Sequence, residues 1–204
     1  KVIACLREGI GIGAAKGDVG NVVYDLVSVK ELDSAITQAK EIRCVTEESQ
    51  RLLAAAETLH ELRIQLKAKD WPFLQRVLQG AYEAGFYDIL REELQVIRDE
   101  CENALICGQL LESLSEGVPI GTVGHLDLNA LDHGELLAAI SNAEAIVPKT
   151  DRAQTLMKTA QVVVQLRRMI KNKNYPEAHD TLTHVELESL AIESHDEIKC
   201  YKDE

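Results

Sequence analysis

The segment ELDSAITQAKEI, residues 31–42, recurs as ELLAAISNAEAI at residues 135–146, and this recurrence decides the predicted fold. Under the same offset of 104 residues, 16 of the 48 positions from Glu31 to Leu78 are identical without a gap. Unrelated chains agree at roughly one position in sixteen, so this agreement indicates an internal duplication. The chain is therefore interpreted as two copies of one unit.

The same offset also aligns residues nearer the two ends of the sequence. Arg63 aligns with Arg167, and Glu93 aligns with Glu197. Three glycines near the start of the chain also align with three later ones, namely Gly13, Gly17 and Gly20 with Gly117, Gly121 and Gly124. We therefore expect residues 1–20 to be the tail of a preceding repeat with a glycine-rich link. Residues 21–124 would form repeat unit 1, and residues 125–204 an incomplete repeat unit 2.

Each copy carries, twice over, the signals of a short helix followed by a longer one. Thr46 and Thr150 precede acidic residues and helically spaced apolar residues, as N-caps do. Asp70-Trp71-Pro72 ends one helix and starts the next, because proline suits the first helical turn. Short helices are predicted near 29–44, 72–85, 133–146 and 176–190, and longer ones near 47–69, 88–115, 151–172 and 191–204.

Short connections between such helices predict antiparallel helical hairpins. One hairpin alone leaves apolar surface uncovered, whereas stacked neighbours bury it. The predicted fold is therefore all-α. It is an array of short-helix–long-helix hairpins in two copies of the 104-residue unit, forming an elongated solenoid or a rod of bundles.

Composition and charge restrict the class of function. The formal net charge of −12 disfavours nucleic acid and anionic membranes as partners, since both attract clustered lysine and arginine. The apolar runs are too short to span a bilayer. Five cysteines, an odd number with no C-x-x-C pair, indicate reduced thiols rather than disulfides or a zinc site. We expect a cytoplasmic protein.

The stretch GIGIGAAKGDVG, residues 9–20, contains a G-x-G-x-x-A pattern followed by Lys16. The segment aligned with it at the offset of 104, residues 113–124, lacks the first two glycines and has Ile120 in place of the lysine. A phosphate-binding loop also needs a preceding strand, and no strand is predicted. We therefore interpret the six aligned glycines as inter-repeat joints, and keep a ligand-binding loop as the less favoured alternative.

No combination of residues predicts catalysis. The six histidines show no zinc-ligand spacing, and no D-x-D-x-D-G loop of an EF-hand is present. No nucleophile, base and acid stand in a recognisable arrangement. We expect a chain that is not an enzyme and that has no catalytic residue, metal ligand or cofactor.

Trp71, Leu74 and Leu78 place three large apolar side chains on one stripe of a short helix. The W-x-x-L-x-x-x-L pattern resembles the helical motif that centrins bind. That resemblance implies a calcium-linked docking module for a centrin-like or calmodulin-like EF-hand partner. The favoured interpretation is core packing, because an apolar stripe at helical spacing usually faces a core.

The repeated pattern combines E-L-x-x-A-I-x-x-A, a threonine cap, a long helix ending in Lys69-Asp70-Trp71, and a G-x-V-G link. It resembles the tandem helical repeats of large cytoskeletal or flagellar proteins of protists. The resemblance covers nearly the whole chain and implies a structural, scaffolding segment that mediates protein–protein interactions. It also implies a location at the cytoskeleton and no catalytic residues.

Overall fold

A computed structural model describes residues 22, 24, 27–42, 46–115, 133–147, 149–186 and 189–203. Within those ranges every regular element is a helix, so the all-α prediction is confirmed. The α-helices are α1 (Lys30–Glu41), α2 (Glu47–Ala68), α3 (Trp71–Glu83), α4 (Tyr87–Ser115), α5 (Gly134–Glu144), α6 (Asp151–Lys171), α7 (Tyr175–His184) and α8 (His195–Asp203). A short 3-10 helix, Ile192–Ser194, precedes α8.

The chain divides into two compact units, the N-terminal unit Lys1–Ala104 and the C-terminal unit Leu105–Glu204. In the N-terminal unit α1 packs on α2, and α2 packs on α3. In the C-terminal unit α5 packs on α6, α6 on α7, and α7 on α8. The unit boundary falls within the residue range of α4, and the repeat boundaries expected at 21–124 and 125–204 stay a prediction.

Side-chain caps explain where the long helices begin. Thr46 Oγ1 accepts a hydrogen bond from the backbone N–H of Ser49 at 3.1 Å. In return, Ser49 Oγ accepts a hydrogen bond from the backbone N–H of Thr46 at 3.1 Å. Thr150 Oγ1 accepts from the backbone N–H of Ala153 at 3.1 Å. These bonds satisfy N–H groups that have no partner inside a helix. The predicted threonine caps are therefore confirmed.

The long helices α2 and α6 end on lysines in the left-handed conformation. Lys69 has φ 56° and Lys173 has φ 60°, and these two positions are also separated by 104 residues. After Lys69, the backbone N–H of Asp70 donates to the Gln65 carbonyl at 3.2 Å. After Lys173, the N–H of Asn174 donates in the same way to Met169 at 2.8 Å. Glycine usually occupies this position, because a side chain raises the energy of the left-handed region.

Replacing Lys173 by glycine is expected to stabilise the C-terminal unit by about 0.5–1 kcal/mol, because glycine removes the left-handed strain. Thermal unfolding followed by circular dichroism measures the change. The matched control is Lys158→Gly at an exposed position inside α6. There glycine is expected to destabilise by about 1 kcal/mol. Equal destabilisation at both positions would contradict the assigned conformation of Lys173.

Helix α7 is shorter than the predicted 176–190, because it ends at His184, where Val185 takes an extended conformation. Thr183 Oγ1 donates to the Asp180 carbonyl at 2.7 Å, a local bond that competes with helix continuation. Further on, the Ala191 backbone N–H donates to Thr159 Oγ1 of α6 at 2.9 Å. This tertiary bond ties the segment after α7 to α6.

No helix in the part of the chain that the structure describes has the length and apolar character needed to cross a bilayer.

Candidate functional site

The most unusual group in the N-terminal unit is the fully buried Arg63 of α2. Its Nε donates to Glu93 Oε1 at 2.6 Å, and its Nη2 donates to Glu93 Oε2 at 2.9 Å. Its Nη1 donates to the Ser28 carbonyl at 2.9 Å. Glu93 belongs to α4 and is itself buried. The guanidinium therefore joins α2, α4 and the segment before α1.

The C-terminal unit contains a second pair of the same chemistry. Arg167 of α6 is fully buried, and its Nε and Nη2 donate to the two carboxylate oxygens of Glu197 at 2.8 and 3.1 Å. Nη2 also donates to the Leu114 carbonyl at 3.2 Å. In both units the glutamate follows its arginine by 30 residues. The offset of 104 residues that aligns the two sequence copies therefore aligns both members of the two pairs.

Buried charges of this kind require complete pairing. Removing a guanidinium and a carboxylate from water is strongly unfavourable, and their attraction offsets this only with good geometry and further hydrogen bonds. The two-pronged geometry of each arginine provides such bonds. Because each guanidinium is held by a carboxylate and a carbonyl, these groups serve to fix helices in place rather than to transfer protons.

Tyr201 of α8 also contacts Glu197: its hydroxyl donates a hydrogen bond to Glu197 Oε1 at 2.5 Å. Burial, the charge of Glu197 and this hydrogen bond raise the pKa of Tyr201 above its ordinary range. For Arg167, burial alone lowers the pKa, but the hydrogen bond and charge of Glu197 outweigh burial, so the pKa is raised. The arginine therefore stays charged and the tyrosine stays neutral at physiological pH.

The apolar stripe that was predicted as a possible EF-hand ligand lies partly in the core. Leu74 and Leu78 are buried, whereas Trp71 is half-buried. The Trp71 carbonyl accepts a hydrogen bond from Cys101 Sγ at 3.5 Å. A partner groove could enclose the two leucines only if α3 left its packed position against α2. Core packing, the interpretation that the sequence favoured, agrees with this placement.

Addition of calcium-loaded calmodulin or centrin is expected to leave the fluorescence of Trp71 unchanged. Trp71 is the single tryptophan of the chain, so its emission reports on α3 without a background signal. Release of Leu74 and Leu78 from the core would remove about 2–5 kcal/mol of packing for each leucine, which opposes docking. A calcium-dependent shift of the Trp71 emission maximum at a micromolar concentration of the partner would instead support docking of α3 into an EF-hand protein.

The six glycines expected as inter-repeat joints, Gly13, Gly17, Gly20, Gly117, Gly121 and Gly124, lie outside the described residues. One glycine that the sequence did not single out does act at a chain reversal. Gly85 has φ 69° after α3, and its carbonyl accepts from Arg51 Nη2 at 2.6 Å. Arg51 also pairs with Asp88 at 2.9 Å in an exposed setting.

Other candidate sites are weaker. A search of the described residues finds no group of three or more histidine, cysteine, aspartate or glutamate side chains that could hold a metal ion. An open groove of about 410 Å³ lies in the C-terminal unit between α4 and α5. Its lining includes Gln109, Glu112, Ser113, Glu135 and Asn142. None of these lining residues is a buried charge that would anchor a ligand.

The thiol of Cys101 gives the N-terminal unit a predictable response to alkaline pH. Burial, followed by the nearby charge of Glu102, raises the pKa of this thiol from 9.0 to about 11. Above pH 9 the unfolded chain loses the thiol proton, whereas the folded chain keeps it. The free energy of unfolding should therefore fall by about 2 kcal/mol between pH 9 and pH 11.

Urea unfolding followed by Trp71 emission at both pH values measures this loss. The Cys101→Ala variant is the control, because it keeps the tyrosine contributions and lacks the thiol. A smaller loss is expected in the variant over the same interval. An identical pH dependence in both proteins would show that the thiol does not titrate as its burial requires.

The alignment of the chain with itself at an offset of 104 residues included all four residues of the two ion pairs. It did not indicate that each arginine contacts its glutamate. The available signal was the position of Arg63 on the stripe of Leu59, Leu62 and Leu66, where a charge is out of place. A charged residue that recurs on an apolar stripe is expected to have a buried partner of opposite charge, because an unpaired buried charge is unfavourable. Glu93 was such a candidate, because it also recurs.

None of the protein-family models, curated proteins and solved structures compared with this chain matches it.

Proposed function

We propose that this chain is a non-enzymatic scaffolding segment built from two copies of a helical-hairpin repeat. The observation that carries the proposal is the recurrence of one buried arginine–glutamate pair in both compact units, at positions 104 residues apart. Surface residues diverge easily between copies, whereas a buried ion pair must change both partners together. Its presence in both units supports a common architecture.

The other recurring features also have structural roles. The threonine caps at Thr46 and Thr150 start the long helices. The left-handed lysines at Lys69 and Lys173 end them. Features that set where a helix starts, stops and docks are what a repeated spacer needs, because its function depends on the geometry of each unit. A catalytic centre would instead depend on reactive groups held open to a substrate.

The proposed partners are other proteins. The net charge of −12 favours partners with basic surfaces over nucleic acid or acidic membranes. The resemblance to protist cytoskeletal and flagellar repeats supports a place in a large cytoskeletal protein of the cytoplasm. In such a protein each repeat would add length and a docking surface.

Small-angle X-ray scattering on the purified chain tests the proposal. A globule of this length has a radius of gyration of ~17 Å by the usual scaling. An array of hairpins should give a clearly larger radius and a skewed distribution of interatomic distances. A value at the globular limit would contradict the elongated array and would favour a search for a ligand-binding cleft.

A further inference from the structure

The open groove between α4 and α5 is lined by two carboxylates, and none of its described lining residues is basic. Glu112 lies in the last turn of α4 and Glu135 in the first turn of α5, and both side chains are exposed. Within the described residues neither carboxylate has an ion-pair partner. Two unpaired carboxylates that line one groove attract a cationic occupant.

Exposed positive charge is concentrated at another place in the same unit, where α6 ends and α7 begins. Its residues are Arg168, Lys171 and Lys173, which we call the α6–α7 corner. In the described part of the chain neither Arg168 nor Lys173 contacts a carboxylate. The next acidic residue along the chain, Glu177, accepts a hydrogen bond from Asn174 instead. The α6–α7 corner therefore presents cations that are available to another molecule.

The groove and the α6–α7 corner lie at the same end of the C-terminal unit. Arg167, which precedes Arg168, donates from Nη2 to the Leu114 carbonyl at 3.2 Å. This bond brings the last turn of α4, which includes Glu112, beside the last turn of α6. Two copies related by a two-fold axis can therefore place the corner of each molecule in the groove of the other, as an interface between identical surfaces requires.

We propose that the chain self-associates in this way, with the α6–α7 corner of one molecule seated in the α4–α5 groove of a second copy. The groove is open and its charged lining is exposed, so it suits a contact between protein surfaces better than an enclosed small ligand. Opposite charges on the two surfaces favour and orient the encounter. The inference deepens the proposed function and rests on it, because it takes proteins as the partners and names a second copy as one of them.

The charges of both surfaces recur in the first sequence copy. At the offset of 104 residues Glu112 and Glu135 align with Glu8 and Glu31. Lys173 also recurs, although its left-handed conformation would be less strained with glycine. The core does not require these exposed side chains, so their recurrence agrees with a contact outside the unit.

Sedimentation equilibrium of the full chain tests the proposal. In about 50 mM salt we expect a dimer with a dissociation constant on the order of 100 µM, which suits a small contact based on charge. Raising the salt to about 500 mM should weaken the dimer at least about fivefold, because salt screens exposed charges. A chain that stays monomeric at a concentration of about 500 µM in low salt overturns the proposal.

The variant Lys173→Gly separates association from stability. It removes one charge from each α6–α7 corner and should weaken the dimer at least about threefold. It should not lower the unfolding temperature, because glycine relieves the left-handed strain at this position. A weaker dimer of a protein that is no less stable cannot result from partial unfolding. An unchanged dissociation constant overturns the proposal.

Charge reversal tests which surfaces meet. A corner variant carries Arg168→Glu with Lys173→Glu, and a groove variant carries Glu112→Lys with Glu135→Lys. Each variant alone should associate at least about tenfold more weakly, because like charges then face each other. An equimolar mixture should form a heterodimer, since each corner then meets a groove of opposite charge.

Lys158→Glu is the matched control, because it reverses an exposed charge within α6 but outside the corner. It should change the dissociation constant by less than about twofold. Circular dichroism checks that each variant is folded, and if a reversed variant unfolds, Lys173→Gly and Glu112→Gln decide the result. Failure of the mixture to associate overturns the proposal, as does an equal effect of Lys158→Glu. The radius of gyration extrapolated to zero concentration tests the scaffold proposal separately, so loss of self-association leaves it unaffected.

Discussion

Replacing Arg63 by methionine is expected to destabilise the N-terminal unit by about 3–5 kcal/mol, because Glu93 then stays buried without its partner. The native contact has two donor–acceptor distances, 2.6 and 2.9 Å, and both charged groups are shielded from water. Urea unfolding monitored by Trp71 emission measures the loss, since Trp71 lies in the same unit.

A matched control uses the exposed pair of the same unit. Arg51→Met breaks the Arg51–Asp88 contact, whose side chains are 48 % and 63 % exposed. Water solvates the remaining charge there, so a loss below about 1 kcal/mol is expected. Similar losses for Arg51→Met and Arg63→Met would mean that burial does not govern the Arg63 pair.

The double variant Arg63→Met, Glu93→Leu distinguishes the net contribution of the ion pair to stability from the cost of leaving one charge buried without a partner. With both charges removed, no unpaired charge stays buried, although the Ser28 carbonyl loses its bond from Arg63 Nη1. Apolar side chains of similar size fill the space. Most of the stability lost in the single variant should therefore return. A double variant as unstable as the single one would show that the pair itself, rather than the avoidance of an unpaired charge, stabilises this unit.

Leu62→Ala should destabilise the N-terminal unit by about 2–5 kcal/mol, because the Leu62 side chain is fully buried in α2 and the substitution leaves a cavity. The control is Ile42→Ala, at a side chain that is 58 % exposed just after α1. That change should stay within about 0.5 kcal/mol. A loss below about 1 kcal/mol for Leu62→Ala would place its side chain outside the packed core.

Most of the helical architecture was predictable from local signals. Threonine caps and the proline after Asp70 fix the helix starts, and these signals act within one turn of the residues they control. The end of α7 was not predictable in this way. After α7, the chain is held against α6 by the bond from Ala191 to Thr159, which joins residues 32 positions apart. Local sequence does not encode such a contact.

The ion pairs show a similar division between local and tertiary information. The stripe of Leu59, Leu62 and Leu66 predicts the buried face of α2, and Arg63 falls on that face at helical spacing. The sequence thus indicates that Arg63 is buried. It does not indicate that Glu93 is the partner, because the meeting of α2 and α4 depends on the packing of the whole unit.

The buried pairs also constrain how related chains can change over time. A lineage that loses only the arginine, or only the glutamate, passes through a protein weakened by several kcal/mol, which is a large fraction of typical domain stability. Substitutions at positions 63 and 93 should therefore be correlated among descendants, and so should those at 167 and 197. Each position pair should be inherited either as an intact ion pair or as two apolar residues.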